Sequence, residues 1–311
     1  MISIIVPCKN RLDKLEECLY SIIVSVEEAK KHIKDLEHEI IVINDHSEEG
    51  FKEKVLEKFK DVRVEDSTGV GPGYARNFGI SISKGKYIFF TDSDCIVAKD
   101  WIVTGYNKFI ESQAIVIQGV PWLFQENTNP TYGRNEGKLY KLLFSTYLKD
   151  IYTSMTDSRN LLINRKITDI MGREVFSEKS SKATAESRVF GKRCISHGIE
   201  ILFDENIKIY HEDPDTMLEV CKQKYRHGSG RVEIWKERPK YKDLRNRYFD
   251  APIKNGIDKD YVLPAHFCFL LGYYKNIKDK EEYEKFIEFA AEVFKSYERK
   301  IEDYKEISEL I

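Results

Sequence analysis

No stretch of this 311-residue chain is long and apolar enough to suggest a membrane span. The best candidate centres on Phe267-Cys268-Phe269-Leu270-Leu271-Gly272-Tyr273-Tyr274. It falls far short of the roughly 20 apolar residues that a spanning helix needs, which excludes a multi-spanning membrane protein. The apolar run at the N-terminus meets a charge at Lys9 and is too short for a signal-peptide core. An excess of one charge is also missing. Lys and Arg total 50 against 52 Asp and Glu, a net charge of −2, whereas a dedicated nucleic-acid binder carries a strongly basic domain. The six cysteines, at 8, 18, 95, 194, 221 and 268, include no C-x-x-C pair. Thiols dispersed in this way fit a reducing compartment better than a disulfide scaffold. There is no internal repeat and no low-complexity tract. Hydrophobic residues make up 41% of the chain, which excludes wholesale disorder. The expectation is a cytoplasmic protein of roughly two domains, or one large domain with an extension, soluble or at most peripheral at the inner face of the membrane.

What is present begins with alternating strand and helix signals. Ile2-Ser3-Ile4-Ile5-Val6 reads as a buried strand. Leu12, Leu15, Leu19, Ile22, Ile23 and Val26 then fall on one helical stripe, with Asn10 placed to cap it. Further strands are expected at 40–43, 62–64 and 87–91, and helices at 50–59 and 74–83. Repeated units of this kind predict an α/β fold, a mainly parallel central sheet with helices on both faces. Ligands of such sheets bind beyond the carboxyl ends of the strands. Polar clusters stand at those ends here: Lys9-Asn10-Arg11, Asn44-Asp45 and Asp92-Ser93-Asp94. Later segments read as a loop over 119–135, a helix over 136–149, a strand over 160–164, a helix over 184–197 and a strand or hairpin over 199–210. A helix follows from Met217, and a charged helical stretch covers 276–308.

Two motifs carry chemistry. In Asp92-Ser93-Asp94, two carboxylates one residue apart can share a hard cation such as Mg²⁺ or Mn²⁺. A solvated acidic turn has the same composition. The turn Gly69-Val70-Gly71-Pro72-Gly73 opens a helix at Tyr74-Ala75-Arg76-Asn77, so it offers N–H groups and a guanidinium to an anion. It is no dinucleotide fingerprint, because no G-x-G-x-x-G follows the first strand.

Taken in order, Pro7-x-Lys9-Asn10-Arg11, Leu15-x-x-Cys18-Leu19-x-Ser21-Ile22, Val42-x-Asn44-Asp45-x-Ser47, Gly71-x-Gly73-x-Ala75-Arg76-Asn77-x-Gly79-Ile80, Gly85-x-Tyr87-Ile88 and Asp92-x-Asp94 resemble the inverting glycosyltransferase family 2. The resemblance implies the A-type nucleotide-diphospho-sugar transferase fold with a C-terminal helical extension. It covers residues 1–120 and thins beyond them. It implies that Pro7, Asn10, Arg11, Asn44, Asp45, Gly73, Arg76, Asp92 and Ser93 contact the donor nucleotide, with Asn44 standing where an Asp is usual. It further implies that Asp94 is the main ligand of a divalent metal, Mn²⁺ or Mg²⁺.

In the second half, Glu186-Ser187-x-x-Phe190-x-x-Arg193-x-x-x-x-Gly198 is similar to the family's E-D-x-x-L-x-x-R-x-x-x-x-G helix, with Ser187 in place of the second acid. Glu186 is then the nearest carboxylate to act as general base. The strand ending at His211 resembles the one that completes the metal site. Gln223-Lys224-Tyr225-Arg226-His227 is similar to the Q-x-x-R-W motif of processive relatives, with His227 for Trp, and makes Arg226 a candidate to stabilise the leaving group. Residues 222–247 hold ten Lys or Arg against three acids, around Gly228-Ser229-Gly230. They read either as a plain solvated basic loop or as a loose one that faces the donor diphosphate, an anionic acceptor or an anionic membrane.

The expected organisation is a nucleotide-sugar-binding subdomain over 1–120, an acceptor-binding and catalytic subdomain over 121–230 and a helical extension over 231–311. The expected activity is metal-dependent, inverting sugar transfer from a nucleoside diphosphate sugar to the hydroxyl of a saccharide or lipid-linked saccharide, with no nucleic acid involved. A nucleotidyltransferase of related fold and a non-catalytic nucleotide-sugar-binding module are the rival readings.

Overall fold

The structure, a computed structural model, describes residues 1–124, 130–178, 185–211, 214, 216–233, 235 and 239–300. In chain order the elements are β1 (Ile2–Cys8), α1 (Leu12–His32), β2 (His38–Asn44), α2 (Phe51–Lys58), β3 (Val62–Asp66), α3 (Pro72–Ile82), β4 (Tyr87–Phe90), β5 (Cys95–Val97), α4 (Trp101–Ser112) and β6 (Val116–Phe124). They continue with α5 (Pro130–Ser145), β7 (Leu148–Lys149), β8 (Tyr152–Thr153), β9 (Leu161–Asn164), α6 (Ile167–Met171), α7 (Ala185–Ser196), β10 (Ile201–His211) and α8 (Met217–Ser229). The last are α9 (Tyr241–Arg245), α10 (Ala251–Lys254), α11 (Lys259–Asn276) and α12 (Lys280–Ser296). The chain divides into two units, one of residues 1–125, 144–181 and 186–212, the other of 126–143, 182–185 and 213–311.

The first unit holds the sheet, ordered β3-β2-β1-β4-β9-β6-β10-β8-β7, with β5 on β10. Strands β3, β2, β1 and β4 are parallel, as their β-branched runs predict. β9 enters antiparallel between β4 and β6, and β6 and β10 are again parallel. The sheet is covered on both faces. Ile4, Val6 and Val42 pack with Leu15, Leu19 and Ile22 of α1, whereas Ile5, Ile41, Ile43 and Phe90 pack with Ala75, Ile80 and Phe190. Register places Cys8 opposite Asn44, and Asn44 opposite Asp66. The loops after β1 and β2 therefore leave from the same edge, and the acidic loop after β4 leaves from it too.

In the second unit every residue of α11 from Tyr261 to Tyr274 is buried. That accounts for its apolar run, which belongs to a core helix. No helix among the described residues is long and apolar enough to cross a membrane. α12 contributes Phe286, Ala290, Val293 and Phe294 to the same core.

Three local expectations fail. The 119–135 loop is strand through Phe124 and helix from Pro130, with 125–129 outside the described residues. Asn10 does not cap α1: the cap position is Arg11, left-handed at φ 57 and with no side-chain bond. The glycines at 228 and 230 do not loosen the chain. Helix α8 runs through Ser229, started by a Thr216–Glu219 capping box. A Cβ on Gly228 would lie 1.7 Å from the Phe269 carbonyl oxygen, and one on Gly272 would lie 2.1 Å from that of Tyr225. These glycines let α8 and α11 cross in backbone contact.

Candidate active site

The site forms where the parallel strands end. Its loops are held by one another before any ligand arrives. The Asn10 side-chain oxygen accepts the Glu48 N–H at 2.9 Å, and the Asn10 N–H donates to Ser47 Oγ at 2.7 Å. The Asn44 amide donates to Asp66 Oδ1 at 2.7 Å and accepts from the Ser47 N–H at 3.0 Å. Asp45 receives the Gly71 N–H on both carboxylate oxygens, at 3.3 and 3.2 Å. These bonds tie the β1, β2 and α3 loops into one wall.

The glycine turn has a structural meaning residue by residue. Gly71 takes φ 99, a conformation that L side chains rarely adopt. A Cβ on Gly73 would stand 2.2 Å from the Ser177 carbonyl oxygen, so Gly73 admits the 175–178 segment. Asn77 then clamps that segment. Its amide donates to the Phe176 carbonyl at 2.8 Å and to Glu178 at 2.7 Å, and it accepts the Phe176 N–H at 2.9 Å. The sequence reading did not single out Asn77, although it stands directly after Arg76 in the same motif.

Arg76 is the centre. It is 2% exposed. Its Nη2 lies 2.6 Å from Asp92 Oδ1, and its Nη1 lies 3.1 Å from Glu186 Oε1. Burial would weaken the cation, but Asp92 and Glu186 hold its pKa above the ordinary value. Burial likewise pushes the Asp92 carboxyl up, against the pull of Arg76. The first acid of the D-x-D and the acid at the start of α7 thus share one guanidinium across 94 residues of chain. Glu186 Oε1 also lies 3.5 Å from Ser158 Oγ. Asp157, beside it in sequence, is committed to Arg159 through bonds of 2.9 and 2.7 Å.

Asp94 faces the other way, toward His211 and solvent. Its Oδ2 accepts from the half-exposed Arg11 at 3.1 Å, and its Oδ1 lies 3.5 Å from His211 Nε2. Burial opposes ionisation of Asp94, but His211, Arg11 and Arg159 outweigh it and hold the carboxyl well below its usual range. His211 reaches this point because β10 pairs antiparallel with β5, setting His211 opposite Cys95. The buried His211 Nδ1 has no hydrogen-bond partner. Asp94, Cys95 and His211 bring one ligand atom each within 4.8 Å of one another. An ionised carboxylate beside an imidazole nitrogen is a donor set that a divalent cation accepts, so these residues fit a metal.

Of the residues read from sequence, the first unit brings together Asn10, Arg11, Asn44, Asp45, Gly73, Arg76, Asp92, Asp94, Glu186 and His211. Pro7 lies in β1 and Ser93 in the D-x-D loop. Arg226 is exposed on α8 in the second unit.

The family model for glycosyl transferase family 2 matches residues 3–176, more than half of the chain. Among curated proteins, the chain is similar to glycosyltransferase GlyA of Streptococcus pneumoniae, 29% identical over 164 residues, covering 51% of this chain and 21% of that protein. It is also similar to the poly(ribitol-phosphate) beta-glucosyltransferase of Bacillus spizizenii, 30% identical over 152 residues, covering 44% of this chain and 23% of that protein. The matched regions thus span under a quarter of these relatives' length. Among solved structures, the mannosyltransferase PcManGT from Pyrobaculum calidifontis, in complex with GDP-Man and Mn²⁺, aligns with a TM-score of 0.55 at 14% identity, covering 95% of this chain and 74% of that one. S. aureus TarS residues 1–349, in complex with UDP-GlcNAc, aligns with a TM-score of 0.51 at 16% identity, covering 99% and 90%. Both likenesses are of fold.

Proposed function

We propose, for a chain that belongs to glycosyl transferase family 2, that it transfers a sugar from a nucleoside diphosphate sugar to an acceptor hydroxyl, with inversion and with a divalent metal. The observation that carries this reading is the Arg76 bridge. One buried guanidinium fixes both Asp92, in the acidic loop after β4, and Glu186, at the start of α7. Two acids held by one rigid cation keep a constant separation, as a reaction with a donor on one side and an acceptor on the other requires. The names of the relatives add support, since one of them is named a glucosyltransferase. So do the folds that carry GDP-Man with Mn²⁺ and UDP-GlcNAc.

In this reading the wall of Pro7, Asn10, Asn44 and Asp45 receives the nucleoside. Asp92 and Ser93 border the ribose and diphosphate. Arg11 moves from Asp94 to the diphosphate when donor binds. Asp94 and His211 hold the metal, Mn²⁺ or Mg²⁺, which when bound neutralises charge on the leaving diphosphate. Glu186 takes the acceptor proton. Arg76 orients Glu186 and Asp92 from beneath, so its part in donor binding is to place Asp92. The role read for Arg226, charge stabilisation of the leaving group, rests on the sequence pattern alone. The acceptor is a saccharide or a lipid-linked saccharide, and the relative named for poly(ribitol-phosphate) extends that class to an anionic polyol chain.

The test is a thermal-shift panel of nucleotides and nucleotide sugars with and without Mn²⁺, followed by donor hydrolysis in the absence of acceptor. A ligand of the folded state raises the melting temperature by mass action. A metal-dependent shift by one nucleotide series, with slow release of its sugar, is the expected result. A shift without any sugar release points to a non-catalytic binding module. Turnover of a sugar phosphate with a nucleoside triphosphate points to a nucleotidyltransferase.

A further inference from the structure

The proposed metal site contains an atom that its expected metal does not need, the sulfur of Cys95. Mn²⁺ and Mg²⁺ are hard ions served by oxygen, whereas thiolate, imidazole and carboxylate together suit Zn²⁺. Cys95 is fully buried and lies in β5 opposite His211. Directly opposed residues of an antiparallel pair project their side chains to the same face. Asp94 precedes Cys95, in the turn out of which β5 starts. The result is compact: Cys95 Sγ is 3.9 Å from Asp94 Oδ1, and His211 Nε2 is 3.5 Å from that same oxygen. Tetrahedral zinc with ordinary bond lengths sets neighbouring ligand atoms about 3.3–3.5 Å apart. The two distances to Asp94 therefore stand within a few tenths of an ångström of that spacing, and all three ligand atoms lie within 4.8 Å of one another. Asp94 keeps a route to solvent, with 24% of its side chain exposed, which leaves a fourth position open.

We propose that Asp94, Cys95 and His211 form a three-ligand site for borderline-soft divalent ions, Zn²⁺ above all, that displaces the hard ion used in sugar transfer and stops the reaction. As the sulfur–metal bond forms, the Cys95 thiol proton passes to solvent and a bound water leaves the ion. Zn²⁺ outranks Mn²⁺ at any given nitrogen, oxygen and sulfur site, so the sulfur adds to a preference already present. The proposal rests on the reading of Asp94 and His211 as metal ligands, and its test separates the two.

Co²⁺ serves as the spectroscopic substitute for Zn²⁺, added to the full chain without donor. The expected result is a near-ultraviolet thiolate-to-cobalt charge-transfer band that titrates to one equivalent, is abolished by added Zn²⁺ and is absent in Cys95→Ser. Competition with a chelating dye should show Zn²⁺ affinity at least about 100-fold weaker in Cys95→Ser, since loss of even an outer-shell partner costs 10–100-fold. Circular dichroism and the melting temperature check that the variant is folded. Cys95→Ala provides a second variant if the serine does not fold. The parent protein decides the matter without either. Absence of the charge-transfer band at saturating Co²⁺ overturns the proposal, and so does Zn²⁺ affinity that is unchanged in both variants. The parent reading fails on a different measurement, Mn²⁺-independent retention of nucleotide by the unmodified chain.

Discussion

Each unit of the molecule buries a charge network, and the two networks differ in how they are closed. In the second unit Glu136 is clasped by Lys224 through one carboxylate oxygen and by the Tyr261 hydroxyl through the other. Glu136 and Lys224 are each 7% exposed at the side chain. Burial works against the Glu136 carboxylate, but Lys224 and Tyr261 hold its pKa below the ordinary value. Glu136, Lys224 and Tyr261 answer one another within the unit. In the first unit Arg76 and its partner Glu186 are as deeply buried, but through Asp92 the network leads outward. Asp92 is 32% exposed at the side chain, Asp94 24%, and Arg11, which pairs with Asp94, 51%. A network that closes on itself is a tether, whereas one whose last members stay wet can accept a ligand. Replacing residues in each network should therefore give opposite signatures, lost turnover on one side and lost stability on the other.

The largest effect is expected at Glu186. Glu186→Gln keeps the shape and a bond to Arg76 while removing the proton acceptor, so turnover falls by roughly 10²–10⁴ with donor affinity little changed. Steady-state kinetics with a donor identified in the nucleotide panel measures it. A loss of only a few-fold would place the base on another residue. Asp157, tied up by Arg159, would then have to release its partner to serve. Asp94→Ala comes next. It deletes the carboxylate beside His211 and removes the response to Mn²⁺. Turnover should drop on the order of 10²–10³, the scale of losing one electrostatic stabiliser of a developing anion. Calorimetry of nucleotide binding with and without Mn²⁺ reads this directly, and a metal response that survives would remove Asp94 from the site.

Legibility differed between the units in the same way as closure. The strands β1, β2 and β4, the helix after β1 and the polar clusters at the strand ends were readable because parallel strands buried on both faces leave uninterrupted β-branched runs. Asp92, Asp94, Asn44 and Asp45 stand directly after those runs. The 110-residue reach of Arg76 to Glu186 was not readable. Nothing local in Arg76 distinguishes a guanidinium aimed at a nucleotide from one aimed at a carboxylate. Cys95 read as one more dispersed thiol because its neighbour across the strands, His211, is 116 residues away. In the second unit Gly228 signalled a loose loop, since a glycine used for helix contact and one used for chain freedom look alike until its neighbour is known. Phe269 is that neighbour.

A mid-sized effect belongs to the tether. Lys224→Met leaves Glu136 buried with only the Tyr261 hydroxyl, and breaking a buried pair in this way costs about 3–5 kcal/mol. Urea unfolding should show it as a lower midpoint at unchanged slope. Replacing Glu136, Lys224 and Tyr261 together by Leu, Met and Phe should recover most of the loss, because no buried charge is then left alone. Failure of the triple variant to recover would mean that the network does more than hold the helices.

The smallest effect sharpens the comparison through pH. His266 lies on α11, 4% exposed, with Nδ1 lacking a hydrogen-bond partner. Its ring sits 5.4 Å from that of Tyr248 and 6.2 Å from that of Phe249. Burial, reinforced by the Lys224 cation, pushes its pKa down to about 3, against the opposite pulls of Glu136 and the Tyr248 carbonyl. The ordinary value for the unfolded chain is about 6.5. Below pH 6.5 the unfolded chain therefore takes up a proton that the folded chain refuses. Stability from this residue is complete above about pH 6.5 and is lost progressively as the pH falls toward 3. At pH 5 the loss is about 2 kcal/mol. His266→Phe keeps an aromatic ring beside Tyr248 and Phe249 but gives up the bond to the Tyr248 carbonyl, which costs about 1 kcal/mol at any pH. The two stability curves should cross: the parent is the more stable near pH 7, and the variant is the more stable near pH 5. Other titrating groups are common to both proteins, so they cancel in the difference. Parallel curves from pH 7 to pH 5 would mean that His266 takes its proton in the folded state, and that the second unit is wetter around Glu136 and Lys224 than a closed tether allows.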